Sequence, residues 1–283
     1  MIEVARNPGL DEGPRHPYRW EECTWPEIRE MAERGAVVVV PTASTEQHGP
    51  HLPLCTDSLI VTAIADQAVA QARKTVPALL APALTVGCSQ HHMRFPGTLA
   101  VDDVTFIDMV TQVGLSIASH GFRQLLYLNG HAGNKAALEI AVSRIHRQTG
   151  ALCAAANYWA FLRRVLGAER RSKLGGLGHA CEFETAAVMA LRSDLVRGER
   201  PPFIHGQGEI YWSTDWYEDS VVTVGFSVEE LSPSGVLGDA AAATAESGTR
   251  WLEVAAAEVA RFIVAFHGWT LPGLRAEGGC SGR

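Results

Sequence analysis

The chain has 283 residues, 47% hydrophobic and 19% charged, the composition of an ordinary folded enzyme-sized chain and not of a disordered or fibrous one. A net charge of −7 and the lack of a basic patch with interleaved aromatics argue against nucleic-acid binding, which needs cations to neutralise phosphates. Polar, proline-containing opening residues and the lack of a long apolar run predict no secretory signal, no membrane span and a cytoplasmic location.

The β-branched run at 36–41 reads as a strand buried on both faces. Residues 57–74 then carry Leu59, Ile60, Ile64 and Val69 at helical spacing, with Asp57 or Ser58 placed to cap the start. A second strand is predicted at 78–86 and a helix at 102–120, with Asp102 and Asp103 in its first turn. A short strand at 124–128 enters Asn129-Gly130-His131-Ala132-Gly133-Asn134, followed by an amphipathic helix at 135–148 and a strand at 152–156. Helices at 182–191 and over the alanine-rich stretch 240–266 complete the pattern. Alternation of this kind predicts an α/β fold with a mostly parallel sheet and helices on both faces, in one domain spanning 1–283. Residues 206–220 interrupt it with Tyr211, Trp212, Trp216 and Tyr217, suited to a pocket wall, a subunit contact or ordinary packing. The tail 276–283 is expected to fray.

Six cysteines, Cys23, Cys55, Cys88, Cys153, Cys181 and Cys280, lack C-x-x-C spacing, so reduced thiols are expected. Cys55 and Cys181 lie beside candidate site residues and read as small buried filler.

Chemistry concentrates where strands end. Directly after the first strand come Glu46, His48 and Asp57, separated by the Gly49-Pro50 turn. Ligands of open α/β sheets bind at such strand ends, and carboxylate plus imidazole suits zinc, manganese or iron. Residues two apart on an extended chain point the same way, so Glu46 and His48 can face one ion together. His131 sits between glycines after another strand. The glycine-rich loop 175–179 brings His179 toward a cleft, with Glu182 or Glu184 at the start of the next helix, where the dipole also favours acids. The loop 87–98 adds His91, His92 and Arg94 near the same rim. Together these residues can hold two divalent ions bridged by Asp57, acidifying a bound water.

Glu46-x-His48-Gly49-x-His51-Leu52-Pro53 with Asp57, Phe95-Pro96-Gly97-Thr98, Asn129-Gly130-His131 and His179-Ala180-x-Glu182-x-Glu184-Thr185 resemble, in order, the landmarks of the creatininase-type amidohydrolases. Ser234-Gly235-Val236-x-Gly238-Asp239 before an alanine-rich helix fits as well, so the resemblance covers roughly 20–265. It implies a three-layer α/β/α sandwich, a di-metal hydrolytic site, a small-molecule substrate and a homo-oligomer, often hexameric. Glu46, Asp57 and His131 would hold one ion, His48 and Asp57 the second, and His179 would transfer protons. Creatininase carries a glutamate where this chain has Gly133, so Glu182 is expected to supply the missing ligand. It also carries a tryptophan where this chain has Gly175, which predicts a flexible, open loop at 174–178 and poor turnover of creatinine, unless Trp159, Trp212 and Trp216 refill the space.

The expected activity is hydrolysis of a C–N bond, in a cyclic amide or formamide, by metal-bound hydroxide. Two alternatives remain at this stage: a lactone or a C–C bond of a cyclic diketone cleaved by the same centre, and a non-catalytic metal- or small-molecule-binding protein. Retention of His179 argues against the last, since binding alone needs no proton shuttle.

Overall fold

Val37 to Val40 are fully buried, and the two faces of their strand serve two different cores. Val37 and Val39 join Leu126 and Leu128 in one cluster, while Val38 and Val40 join Leu125 and Tyr127 in the other. That division follows from the two-residue period of a strand, and a run apolar at every position is what a sheet covered on both faces requires. Each such side chain contributes about 1.5–3 kcal/mol on leaving water.

The computed structural model describes residues 16–201, 211–218 and 220–270. In chain order these form α1 (Trp25–Glu33), β1 (Val37–Thr42), α2 (Thr56–Ala72), β2 (Ala78–Leu80), α3 (Asp103–Ser119), β3 (Gln124–Asn129) and α4 (Lys135–Thr149). Then come β4 (Leu152–Asn157), α5 (Arg163–Glu169), β5 (Leu177–His179), α6 (Glu182–Arg192), α7 (Val228–Leu231), β6 (Leu237–Gly238) and α8 (Ala245–His267). The main sheet has strand order β2-β1-β3-β4, all parallel. One face is covered by α2, α6 and α8, the other by α3 and α4, giving the expected helix–sheet–helix layering. Register keeps the strand ends level, with Thr42 beside Asn129 and Asn129 beside Asn157. Parallel strands therefore present their carboxyl ends along one line, and the polar residues that follow emerge together.

Four expectations need correction. The strand predicted at 78–86 ends at Leu80, because Pro82 has no N–H to continue a ladder; a lone bridge from Thr42 to Leu84 is what remains. The alanine-rich helix begins at Ala245, where the Thr244 side chain accepts from the Ser247 amide as its cap; residues 240–242 form a separate turn. Neither Asp57 nor Ser58 caps α2: the cap position is Cys55, and Asp57 lies inside the first turn with its side chain directed elsewhere. His179 ends a short strand, not a loop, and β5 pairs antiparallel with β6. The predicted fraying tail and residues 206–210 and 219 of the aromatic segment lie outside the described residues. Among the described residues, no helix is long and apolar enough to cross a membrane.

Candidate metal centre and active site

The chain leaves β1 and turns back at Gly49, whose φ of +65° lies where a side chain is disfavoured. That reversal brings α2 under the preceding segment, and the Glu46 amide donates to Leu54 O across it at 3.1 Å. Asp57, in the first turn of α2, then meets residues that precede it and one that follows β3. Asp57 Oδ1 lies 3.0 Å from His48 Nε2, and its Oδ2 lies 3.4 Å from His131 Nδ1.

Two groups of possible ligands share this carboxylate. Glu46, Asp57 and His131 form one; His48, Asp57 and Glu184 form the other. Glu46 Oε1 is 3.1 Å from His131 Nδ1, and Glu184 Oε1 is 3.7 Å from His48 Nε2. A third group joins Glu46 and His48 to His179, as the two-residue spacing of Glu46 and His48 predicts.

The hydrogen-bond network fixes which nitrogen each imidazole offers. His48 Nδ1 donates to Glu46 O at 3.2 Å, and His131 Nε2 donates to Cys88 O at 3.1 Å. Backbone carbonyls thus hold one proton on each ring and turn the other nitrogen to the carboxylates, the arrangement that orients a metal-bound histidine. His179 Nε2 donates to Gln47 O at 2.8 Å, leaving Nδ1 directed toward Glu46 Oε1 at 3.7 Å. The Gln47 side-chain amide donates to His92 Nδ1 and to Gly235 O, so His92 presents Nε2–H to Glu46 Oε1 at 3.4 Å. Ser89 Oγ donates to the other Glu46 oxygen at 2.6 Å. His179 packs between His48 and His92, each ring tilted to it and 4.3 Å away between centroids.

Electrostatics follow from this packing of charges without solvent. Burial opposes ionisation of Glu46, but His131 and His92 outweigh it and hold the carboxyl well below its usual range. Burial likewise opposes protonation of His131, and Glu46 and Asp57 overcome it, pushing the imidazole up to about 10. His48 is raised in the same way by Asp57 and Glu184 against its own burial. His179 moves the other way: burial and the neighbouring His48 lower it, so at neutral pH it is an uncharged imidazole able to take a proton at Nδ1.

Glu46 Oε1, His48 Nε2 and Asp57 Oδ2 are buried and, apart from the imidazoles and carboxylates that face one another here, have no hydrogen-bond partner among the described residues. Orphaned polar atoms are costly, and a divalent ion at each group would satisfy them. The donors are oxygen and nitrogen, with no thiolate, which fits zinc, manganese or iron. Burial pushes the Cys88 thiol up to about 12 and raises Cys181 well above its ordinary value. Cys181 is buried filler as expected, whereas Cys55 is exposed.

Glu182 does not join either group. Its carboxylate accepts the Arg171 and Ser172 amides, each at 2.9 Å, and Glu184 occupies the position expected of it. Helical geometry explains the exchange: residues two apart on a helix face different ways, so only one of the pair can face His48. Glu184 Oε2 accepts the Cys181 amide at the start of α6, which leaves Oε1 for His48. A side chain at position 133 is itself excluded, since a Cβ there would run into Cys88 O and the His131 ring.

Beside these candidate ligands lies a cavity of about 240 Å³, lined by Trp159, Trp212, Trp216 and Phe226 together with His91, His179 and Thr214. All three tryptophans named from the sequence line this cavity, so its wall is aromatic without a ring at position 175. Nor is the glycine-rich segment loose: the buried Asp215 carboxylate accepts the Gly175 amide at 2.7 Å and the Leu177 amide at 3.2 Å. The expectation of an open, flexible wall is corrected accordingly.

The family model for creatininase, creatinine amidohydrolase, matches residues 21–263. The chain belongs to the creatininase family. It is 33% identical over 223 residues to the mycofactocin precursor peptide peptidase of Mycobacterium tuberculosis, covering 75% of this chain and 78% of that one. It is 28% identical over 251 residues to the 3-dehydro-scyllo-inosose hydrolase of Thermotoga maritima, covering 83% and 78% respectively. A crystal structure of creatinine amidohydrolase superposes with a TM-score of 0.75 at 25% identity, over 89% of this chain and 99% of that one. Membership of the creatininase family and these hydrolase relatives make the protein an enzyme, a hydrolase.

For this creatininase-family chain, sequence reasoning passed over Gln47 and Ser89 as site residues and left His92 without a role. Both histidines of the 87–98 loop do reach the site: His91 stacks on His131 with 5.6 Å between centroids. Gln47 and Ser89 carry no ligand chemistry of their own, and only contact with Glu46, His92 and His179 distinguishes them.

Proposed function

We propose that the protein is a metal-dependent amidohydrolase that cleaves a C–N bond in a small molecule or at the end of a short peptide. The observation that carries this reading is Asp57, shared between two buried ligand groups at the floor of a cavity that also exposes His179. Divalent ions in the two groups would supply Lewis acidity toward a carbonyl oxygen and lower the pKa of water.

Glu46, Asp57 and His131 would hold one ion, and His48, Asp57 and Glu184 the other. His92 and Ser89 fix the Glu46 carboxylate from either side. His179, held at Nε2 by Gln47 O, accepts a proton at Nδ1 and returns it to the departing nitrogen, the acid–base role suited to an imidazole. The aromatic walls keep water away from the reacting bond and give a planar or apolar group a contact surface. A cavity of about 240 Å³ suits a ring or a chain terminus. That the M. tuberculosis relative is a peptidase supports a C–N bond over the alternatives.

A panel of cyclic amides (creatinine among them), N-formyl compounds, short peptides, lactones and β-diketones tests the reading with metal-loaded protein. Metal-dependent hydrolysis of an amide is expected. Turnover confined to lactones or diketones would overturn it.

A further inference from the structure

Asp215 is buried, 2% exposed, in a segment where its neighbours face the cavity: Trp212, Thr214 and Trp216 all line it. The carboxylate is heavily engaged. Arg170 pairs with it through both terminal nitrogens, at 3.1 and 2.9 Å, and the Gly175, Leu177 and Tyr217 amides donate to it. The Arg170 side chain is itself only 8% exposed. One more bond, from the Trp216 amide to Leu177 O at 2.7 Å, lays the segment along β5.

We propose that Asp215 and Arg170 are a positioning pair for substrate, which set the aromatic wall of the cavity against β5. The inference rests on the reading of this cavity as the substrate site. Two features separate it from plain structural support. First, the wall supplied beside Asp215 includes Thr214 Oγ1, a buried hydroxyl with no partner among the described residues. A hydroxyl held unpaired on the cavity lining has a hydrogen bond to offer a bound molecule, and its direction is set by the residue next to it. Second, the acid–base histidine does not depend on the pair alone. His179 has its own bond to Gln47 O and is packed between the rings of His48 and His92. Disturbing Asp215 therefore moves the surface that grips substrate more than the group that transfers protons. Among the described residues, the partners of Asp215 and Arg170 do not include Glu46, His48, Asp57, His131 or Glu184.

The test uses the full-length metal-loaded protein and the variant Asp215→Asn, which keeps the size of the side chain and loses the charge-paired acceptor. Metal content should be unchanged, and acrylamide should quench tryptophan fluorescence more strongly than in wild type. With an amide that the wild type hydrolyses, KM should rise about tenfold or more while kcat stays within about threefold, the split expected when ground-state contacts are lost. Arg170→Gln, which leaves the amide bonds to Asp215 in place, should shift the same quantities in the same direction by less. Unchanged quenching and KM in both variants would overturn the proposal, as would loss of kcat and metal together. Failure of both variants to fold would make the pair a stability element and overturn it too. The quenching measurement needs no substrate, so it stands even where the panel yields no amide turnover.

Discussion

Glu184 Oε1 lies 3.7 Å from His48 Nε2, although Glu184 is carried by a helix far along the chain from the loop that bears His48. Glu182, on the same helix, faces backbone amides of the preceding segment instead. The two acids should respond differently to removal of charge. Glu184→Gln should weaken binding at the His48 side by more than about tenfold, since even indirect partners of a ligand cost about 10- to 100-fold. Glu182→Gln should keep full metal content and lose about 1–3 kcal/mol of stability, the range for a buried charged hydrogen-bond acceptor. Metal titration and thermal melting of the two variants separate these outcomes, and an exchange of the two phenotypes would refute the assignment.

Asp57 has one oxygen toward each group, so Asp57→Ala should lower metal content at both and abolish hydrolysis. Elemental analysis after dialysis provides the readout. Wild-type occupancy in that variant would show that the carboxylate is not shared.

His179→Ala should retain its metal while the rate falls by about 10²- to 10⁴-fold, as for loss of a general acid–base group. His179 does lie within reach of Glu46 and His48, which makes metal content the decisive comparison. Loss of metal in step with activity would place this imidazole among the ligands.

His51 is a separate, pH-dependent element of stability. Burial, reinforced by His48, lowers its imidazole from 6.5 to about 4, and its Nε2 meets Thr185 Oγ1 at 2.9 Å. The unfolded chain takes up a proton there at higher pH than the folded one does. Stability is therefore full above about 6.5 and is lost as pH falls toward 4, at up to about 1.4 kcal/mol per pH unit. Melting of metal-free His51→Gln should show a shallower decline over that window than metal-free wild type. Parallel curves would exclude His51 as the source.

The sheet and the candidate ligands beyond its strand ends are legible in the sequence because both are local. Four consecutive valines favour a strand covered on both sides, and Glu46, His48 and His131 each lie a few residues beyond a buried strand. What the sequence did not separate was Glu182 from Glu184: both are acids in a first helical turn, and only the packing of α6 decides which one faces His48. Asp215 was hidden for a different reason. Its partners are a distant arginine and backbone amides, two of them from the segment before α6, and amides leave no signature in a sequence. Pro82 shows the reverse case, a breaker plainly written in the chain and given too little weight against the apolar residues around it.

Between His179 and the helix that carries Glu184 stands Ala180, with φ of +51°, the only non-glycine residue in the left-handed region among those described. A side chain there costs roughly 1–2 kcal/mol relative to glycine, so this joint does not choose its own shape; its surroundings impose it. Ala180 is fully buried, and its methyl group removes conformations that glycine would allow. The distance from the His179 ring to the Glu184 carboxylate is thus held by a joint with little freedom to drift. Replacing Ala180 with glycine would relieve the strain and widen the range of relative placements open to the two groups. The folded chain gives up some stability at this one residue and keeps a fixed spacing in return.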